Sequence, residues 1–195
     1  MGVYLYDEAF LKKLQHWTKD TAVTLTGVNE TSRLFQVIAD KTNDKPINLP
    51  LIALSRKGGF EILSLEKRPI TFDGMMLEST QEKALMVNAI PISIEYQLDV
   101  YARYTEEADQ YLRNLIFNII NYPKLQVTLP YKDKNFTHDA NIRLTSTIED
   151  NSDIPERLIP GQFVRMSIPI YIDDAYLWDI KVRDNIMIEK NLVFN

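Results

Sequence analysis

The clearest pattern in the chain is a strict alternation between Ile90 and Tyr104. One parity reads Ile90, Ile92, Ile94, Tyr96, Leu98, Val100, Ala102, Tyr104, and the other Pro91, Ser93, Glu95, Gln97, Asp99, Tyr101, Arg103. Successive side chains of a strand point to opposite faces, so this segment is predicted to lay one face on a core and turn the other to solvent or a partner. At about 3.3 Å per residue it extends roughly 45 Å, well beyond an average strand. It therefore either bends at a bulge or projects past its own domain.

The period then changes. Thr105 is read as the cap of a helix with Glu106 and Glu107 in its first turn, and Ala108, Tyr111, Leu112, Leu115, Ile116 and Ile119 mark its buried face. Pro123 ends it. This is the expected core helix. A shorter amphipathic helix is expected from Asp7, as cap, to Trp17, with Phe10, Leu11, Leu14 and Trp17 on its apolar side. Ala22 to Thr26 reads as a short strand ended by Gly27. Ser32 to Asp40 fits a helix stripe or an alternating strand, and is read as helix.

Leu51 to Ser55 and Phe60 to Leu65 flank Gly58-Gly59 and suggest a hairpin. Leu125 to Leu129, Ala140 to Ile148 and Phe163 to Ile172 are strand-like, and the tail after Asp173-Asp174 stays β-prone. The fold class expected is α+β: a mixed, mostly antiparallel twisted sheet against one main helix, with a shorter N-terminal helix, in a single domain over 1–195. Residues 66–85 lose periodicity and form the expected arm, with Met75 and Met76 at its apolar tip. The tail at 183–195, including Leu192 and Phe194, is its counterpart. Each serves as an intersubunit contact, or else the arm is a plain loop and the tail completes the protein's own sheet.

Two alternating segments share an Ile-Pro-Ile phrase, at Pro91 and Pro169. Proline lacks the amide hydrogen of a ladder, so each marks either a bend or a sheet margin. A margin left open is a template for another chain. Glu95, Asp99 and Arg103 share one strand face and suggest a charged surface or intersubunit ion pairs.

Composition narrows the function. The chain has 195 residues, 45% hydrophobic and 25% charged, with no cysteine, so thiolate metal sites and disulfides do not arise. The opening residues carry acidic groups and no long apolar run, unlike a signal peptide, and no stretch approaches the roughly 20 apolar residues of a membrane helix. A net charge of −5, with basic residues at most in adjacent pairs, argues against specific nucleic-acid binding. His16 and His138 are the only histidines, and no phosphate loop or G-x-S-x-G occurs. The acidic loop residues Asp150, Asp153, Asp173 and Asp174 lack calcium-loop spacing and read as solvated carboxylates. Their chemical alternative is a metal-dependent hydrolase. Tyr96, Tyr101, Tyr104 and Tyr111 gather near the strand–helix joint and read as core and rim packing. A further alternative is a binding module that grips a partner with its arm.

The order IPISIEYQLDVYARY, TEEADQYLRNLIFNII, KLQVTL, ANIRLTSTIEDNSD and GQFVRMSIPIYIDDAYLW, with PLIALSRKGG upstream, resembles tail completion proteins of contractile-tailed bacteriophages, the tail terminator or sheath-stabiliser group. The likeness covers about residues 30–180. It implies a structural, non-enzymatic protein without a cofactor, assembled in the bacterial host cytoplasm and resident in the virion tail. The implied form is a hexameric ring at the head-proximal end of the tail that ends the tube, holds the sheath and meets the neck. Its partners are then its own copies and the tube, sheath and neck proteins, with DNA passing through the ring. Another connector or baseplate component is the nearby alternative.

Overall fold

The computed structural model describes residues 2–27, 49–63, 83–131, 134–151 and 164–184. They build two helices and seven strands in the order α1 (Tyr4–Trp17), β1 (Ala22–Gly27), β2 (Leu51–Ile62), β3 (Lys83–Ala102), α2 (Thr105–Asn121), β4 (Lys124–Tyr131), β5 (Lys134–Leu144), β6 (Glu149–Asp150) and β7 (Val164–Asp184). The strands form one sheet in the order β1-β2-β3-β7-β5-β4, with β6 beside β7. Only β1 and β2 run parallel; every other pair is antiparallel. The α+β class with a mixed, mostly antiparallel sheet is thus the observed one, and the sheet dominates it.

The predicted alternation holds. Ile92, Ile94, Tyr96, Leu98, Val100 and Ala102 are all buried, while Ser93, Glu95 and Gln97 between them are partly exposed. Both helices cover this apolar face. α2 contributes Ala108, Leu112, Leu115 and Ile119, and α1 contributes Leu5, Tyr6, Phe10 and Leu14. Each larger side chain stabilises the core by about 1.5–3 kcal/mol before entropy is subtracted. The shorter helix carries as much of the core as the main one. It packs on both β1 and β4, the two ends of the strand order, so the sheet curls around it.

Several expectations are corrected. Gly58-Gly59 is no hairpin turn: β2 runs straight through it as one strand, with a register shift against β3 between Arg56 and Phe60. The extra backbone bows out there as a bulge into open space, since a Cβ added at either glycine meets nothing within 4 Å. Asp173-Asp174 likewise does not end a strand. The ladder shifts there between Ile92 and Ile94 of β3, and Asp174 takes φ 56°, a left-handed conformation that Asp tolerates better than most residues. Its bulge is held by Asn141 Nδ2, which donates to Asp174 Oδ2 at 2.6 Å, and by a 2.6 Å hydrogen bond between His138 Nε2 and the Asp174 carbonyl.

Neither helix uses its expected cap. α1 starts at Tyr4, so Asp7 lies in its first turn, and α2 follows Tyr104 with Thr105 already helical. Glu107 instead reaches back and accepts from the Arg103 amide at 3.1 Å, relieving one of the amides near the helix start that has no partner within the helix. β5 begins earlier than expected and ends at Leu144, and Lys83–Leu85 of the expected arm belong to β3. The helix read at Ser32 to Asp40, most of the arm and the tail beyond Asp184 lie outside the described residues.

The prolines stand in the two central strands, not on sheet edges. Pro91 pairs with Tyr176 and Pro169 with Gln97, both in the β3–β7 ladder. Their carbonyls show how this is tolerated. Pro91 O accepts from Leu63 N at 3.0 Å, on the β2 side, and Pro169 O accepts from Thr145 N at 3.3 Å, on the β5 side. Amide and carbonyl of one strand residue face the same flank, so both are non-hydrogen-bonded pairs of the central ladder. The missing N–H groups point where a neighbouring ladder is interrupted: beyond Ile62 of β2, and between Leu144 of β5 and Glu149 of β6. The central ladder loses no bond.

Pro169→Ala is therefore expected to change unfolding free energy by less than about 1 kcal/mol. Moving the proline one position, as Ile168→Pro, turns its missing donor toward β3 and is expected to cost about 3 kcal/mol or more. Urea titrations of the two variants check this.

Candidate assembly surfaces

Among the described residues, β3 and β7 outrun the rest of the sheet. β2 stops pairing with β3 at Ile62↔Ile92, and β5 stops pairing with β7 at Asn141↔Asp173. The eight pairs from Lys83↔Asp184 to Ile90↔Leu177 continue as a two-stranded ribbon, roughly 25 Å long at the usual rise. Of the two alternatives predicted for the long strand, the bulge falls in its neighbours β2 and β7 and not in β3 itself, while the pairing with β7 runs on past the other described strands. Tyr6 of α1 guards the root of the ribbon. Its hydroxyl accepts from Tyr176 N at 2.7 Å and Trp178 Nε1 at 3.3 Å, and lies 3.2 Å from Tyr176 O as a donor. One tyrosine therefore engages both backbone groups that face away from Pro91.

The residues singled out from sequence separate into four groups. Glu95 is half-buried and accepts from Lys57 Nζ at 2.7 Å, and Arg103 is exposed just before α2. Pro91 and Pro169 hold the ladder positions described above. Met75, Met76, Leu192 and Phe194 lie outside the described residues. Asp99 departs from the expectation of a surface charge: it is buried and fully engaged inside its own chain. It accepts from Arg165 Nη2 at 3.1 Å, Ser167 Oγ at 2.6 Å and Gln97 Nε2 at 3.0 Å. Asn151 Nδ2 in turn donates to Ser167 Oγ at 2.8 Å. An unpaired carboxylate there would carry a heavy desolvation cost, which the guanidinium and two further donors offset.

A second acidic group is sealed on the helical face. Asp7 accepts from Tyr96 Oη at 2.6 Å and faces Arg56 at 3.4 Å. Tyr96 holds its proton far above the ordinary tyrosine range, first because burial disfavours the phenolate and then because Asp7 is negative beside it. Burial raises Tyr6 as well. These contacts tie α1 to the sheet.

The acidic residues of the hydrolase alternative do not converge. Asp150 pairs with Met166, seven residues along β7 from Asp173, which places the two roughly 23 Å apart. Asp173 accepts from Arg143, and Asp153 lies outside the described residues. Among the described residues no group of three acidic or histidine side chains is placed to hold a metal ion. Ser167 has a carboxylate partner but is sealed from solvent with no histidine in its hydrogen bonds. The glycine bulge opens a shallow dish of about 410 Å³ lined by Lys57, Phe60, Glu95 and Tyr171. Its lysine and glutamate already neutralise each other. No helix among the described residues is long and apolar enough to cross a membrane.

Sequence reasoning missed two things. Arg165 and Ser167 pair with Asp99 only through the β3–β7 register, which local periodicity does not reveal. Phe117, Ile120 and Tyr122 are exposed although apolar. A signal for them existed: Ile116, Phe117, Ile119 and Ile120 make the apolar arc of α2 wider than one buried stripe needs.

No family model matches the sequence, and no curated protein does. Among solved structures the chain is similar to the PVC sheath/tube terminator of an extracellular contractile injection system in its extended state, at 12% identity and a TM-score of 0.47. That match covers 93% of this chain and 58% of the other, so this chain spans well under two thirds of its neighbour's length.

Removing one partner of the sealed pair, by Asp99→Ala, is expected to destabilise the fold by about 3–5 kcal/mol. The double variant Asp99→Ala/Arg165→Met should lose clearly less than the two single losses added, a coupling that a denaturation cycle measures. The buried phenols predict alkaline sensitivity. Unfolded tyrosines ionise near pH 10, while Tyr6 and Tyr96 in the fold keep their protons. Their contribution is complete below about pH 10 and declines as the pH rises past it, since the folded state then binds more protons than the unfolded one. Denaturation midpoints measured from about pH 9 to 11 should fall, and Tyr96→Phe should make that fall shallower.

Proposed function

We propose that this chain is a structural subunit of a contractile tail, a tail terminator or sheath stabiliser that works as a ring, hexameric by the resemblance of its sequence. In that role it ends the tube at the head-proximal side, holds the last sheath ring and meets the neck. Its partners are its own copies and the tube, sheath and neck proteins of the virion, and the ring is assembled in the host cytoplasm without a cofactor.

The observation that carries this reading is the ribbon. A two-stranded ribbon alone is only marginally stable in water, and its flanks present backbone donors and acceptors to any strand that approaches. Natural proteins usually blunt such flanks, and a projecting one suits a subunit that joins others. The dispersed carboxylates favour the same side, since a hydrolase needs its acidic groups to converge on one metal. Glu95, Arg103 and the segments 66–85 and 183–195 are the contacts this reading assigns to neighbours. A net charge of −5 suits a passage that DNA crosses without adhering.

The test is co-assembly of the purified chain with its cognate tube protein, read by electron microscopy. The expected outcome is tubes capped at one end by a ring, with a narrow length distribution that broadens when the chain is left out. Uncapped tubes of unchanged lengths, and no association with tube or sheath protein, overturn the proposal.

A further inference from the structure

Two apolar patches remain open on the described surface, on opposite flanks of the sheet. The first is the C-terminal end of α2, where Phe117, Ile120 and Tyr122 are each 60–63% exposed. From Asn114 to Tyr122 the sequence carries no charge at all. Tyr122 and Pro123 lead directly into β4, the last strand of the order, so this patch adjoins the β4 edge. The second patch comprises Phe60, Ile62 and Ile90, 42%, 62% and 48% exposed. Phe60 and Ile62 pair with Ile94 and Ile92, both fully buried, so this patch continues the core face beyond the reach of the helices. β1 ends its described pairing at Gly27↔Arg56, so among the described residues β2 is the outermost strand at Phe60 and Ile62.

Four strand spacings separate β2 from β4, roughly 19 Å along the curled sheet, and the patches draw on different elements, the end of α2 for one and the β2–β3 margin for the other. The two patches are therefore distinct surfaces facing different neighbours, not halves of one. A single self-complementary patch makes a closed pair with a two-fold axis. Two unlike patches on opposite flanks make a head-to-tail contact, which repeats and closes into a ring when the rotation per subunit allows. Each patch offers roughly 300 Å² of exposed apolar side chain, taking about 200 Å² for a full large side chain. That suits the apolar centre of a standard interface of about 800 Å² per partner. Charge agrees with shape: an uncharged helix end loses no ionic solvation when covered by an apolar sheet margin.

We infer that the α2 patch of one subunit seats on the β2–β3 patch of the next copy of this chain. This rests on the ring reading above and specifies its subunit contact. Sedimentation and light scattering of the full chain test it, with Phe117→Asp/Ile120→Asp removing the first patch and Phe60→Asp/Ile62→Asp the second. All four positions are solvent-exposed, and circular dichroism verifies folding. Milder variants, Ile120→Asn and Ile62→Asn, stand in for any variant that fails to fold. Each double variant alone should assemble only at a concentration at least about tenfold above that of the unmodified chain. An equimolar mixture of the two should form dimers and nothing larger, because each variant retains one competent patch, of the opposite kind. If the unmodified chain forms rings and both variants do so equally well, the patch assignment falls while the ring reading stands. Normal assembly by one variant with loss in the other points to a two-fold contact or a different protein on that patch, and also overturns the inference. An unmodified chain that stays monomeric, even with tube protein, removes both.

Discussion

In the ladder between β3 and β7, nineteen residues of β3 find a partner on β7, and the pairing survives a bulge and two prolines. That ladder constrains everything around it. Proline can sit in a central strand only where its absent donor faces away from the partner and toward a flank with nothing to satisfy. Pro91 and Pro169 each meet that condition, and each lies where a flanking strand stops or changes. Irregularity is displaced into the neighbours. β2 bows out at Gly58-Gly59 and β7 at Asp173-Asp174, both alongside the stretch from Ile92 to Tyr96, while β3 itself keeps its alternation. Bulges increase local twist, and two at one level of the sheet suit its curl around α1.

The curl explains why so much polar chemistry is buried among the described residues. A helix enclosed by a sheet that meets it from both edges must be placed in one orientation, and apolar contact alone is not directional. Asp7 and Tyr6, adjacent in α1, bind Tyr96 with Arg56 on one side and the Tyr176–Trp178 backbone and indole on the other. On the opposite face Asp99 locks β3 to β7 through Arg165 and Ser167. Buried pairs of this kind contribute little net stability over a well-packed apolar substitute. What they contribute here is position: a one-residue slip of β3 against β7 turns Asp99 into the apolar face and Leu98 out of it.

Periodicity made the elements legible because hydrophobic burial follows it. The alternation from Ile92 to Gln97, the centre of the buried face of α2 and the short β1 stand as read, whereas Ile90 and Tyr104 are exposed and Asp99 and Tyr101 are buried on the face expected to be open. What failed were judgements that depend on which strand lies beside which. Gly58-Gly59 has the same local chemistry as a turn or as a bulge, and only the presence of β3 alongside both halves of β2 decides. Asp99 looked like one of three surface charges because its partner lies 66 residues away in the chain. The prolines signalled an interrupted ladder correctly, but the interruption is on the far side of each strand and not at the edge of the sheet. Long-range register is a tertiary property that no local window contains.

Along β3 the surroundings thin out in one direction. From Leu98 to Ala102 every residue is buried on both faces; from Ile92 to Gln97 mainly one face is; and from Ile90 back to Lys83 β7 is the one strand paired with it among the described residues. Burial sets local stability, so resistance to opening should fall along the same line. The ordered end fixes where the ribbon emerges and the sparse end leaves its flanks accessible. A strand that is rigid at its root and unfinished at its tip orders further only when another chain supplies the missing neighbours. In the proposed ring, the energy of that step is gained at assembly instead of folding.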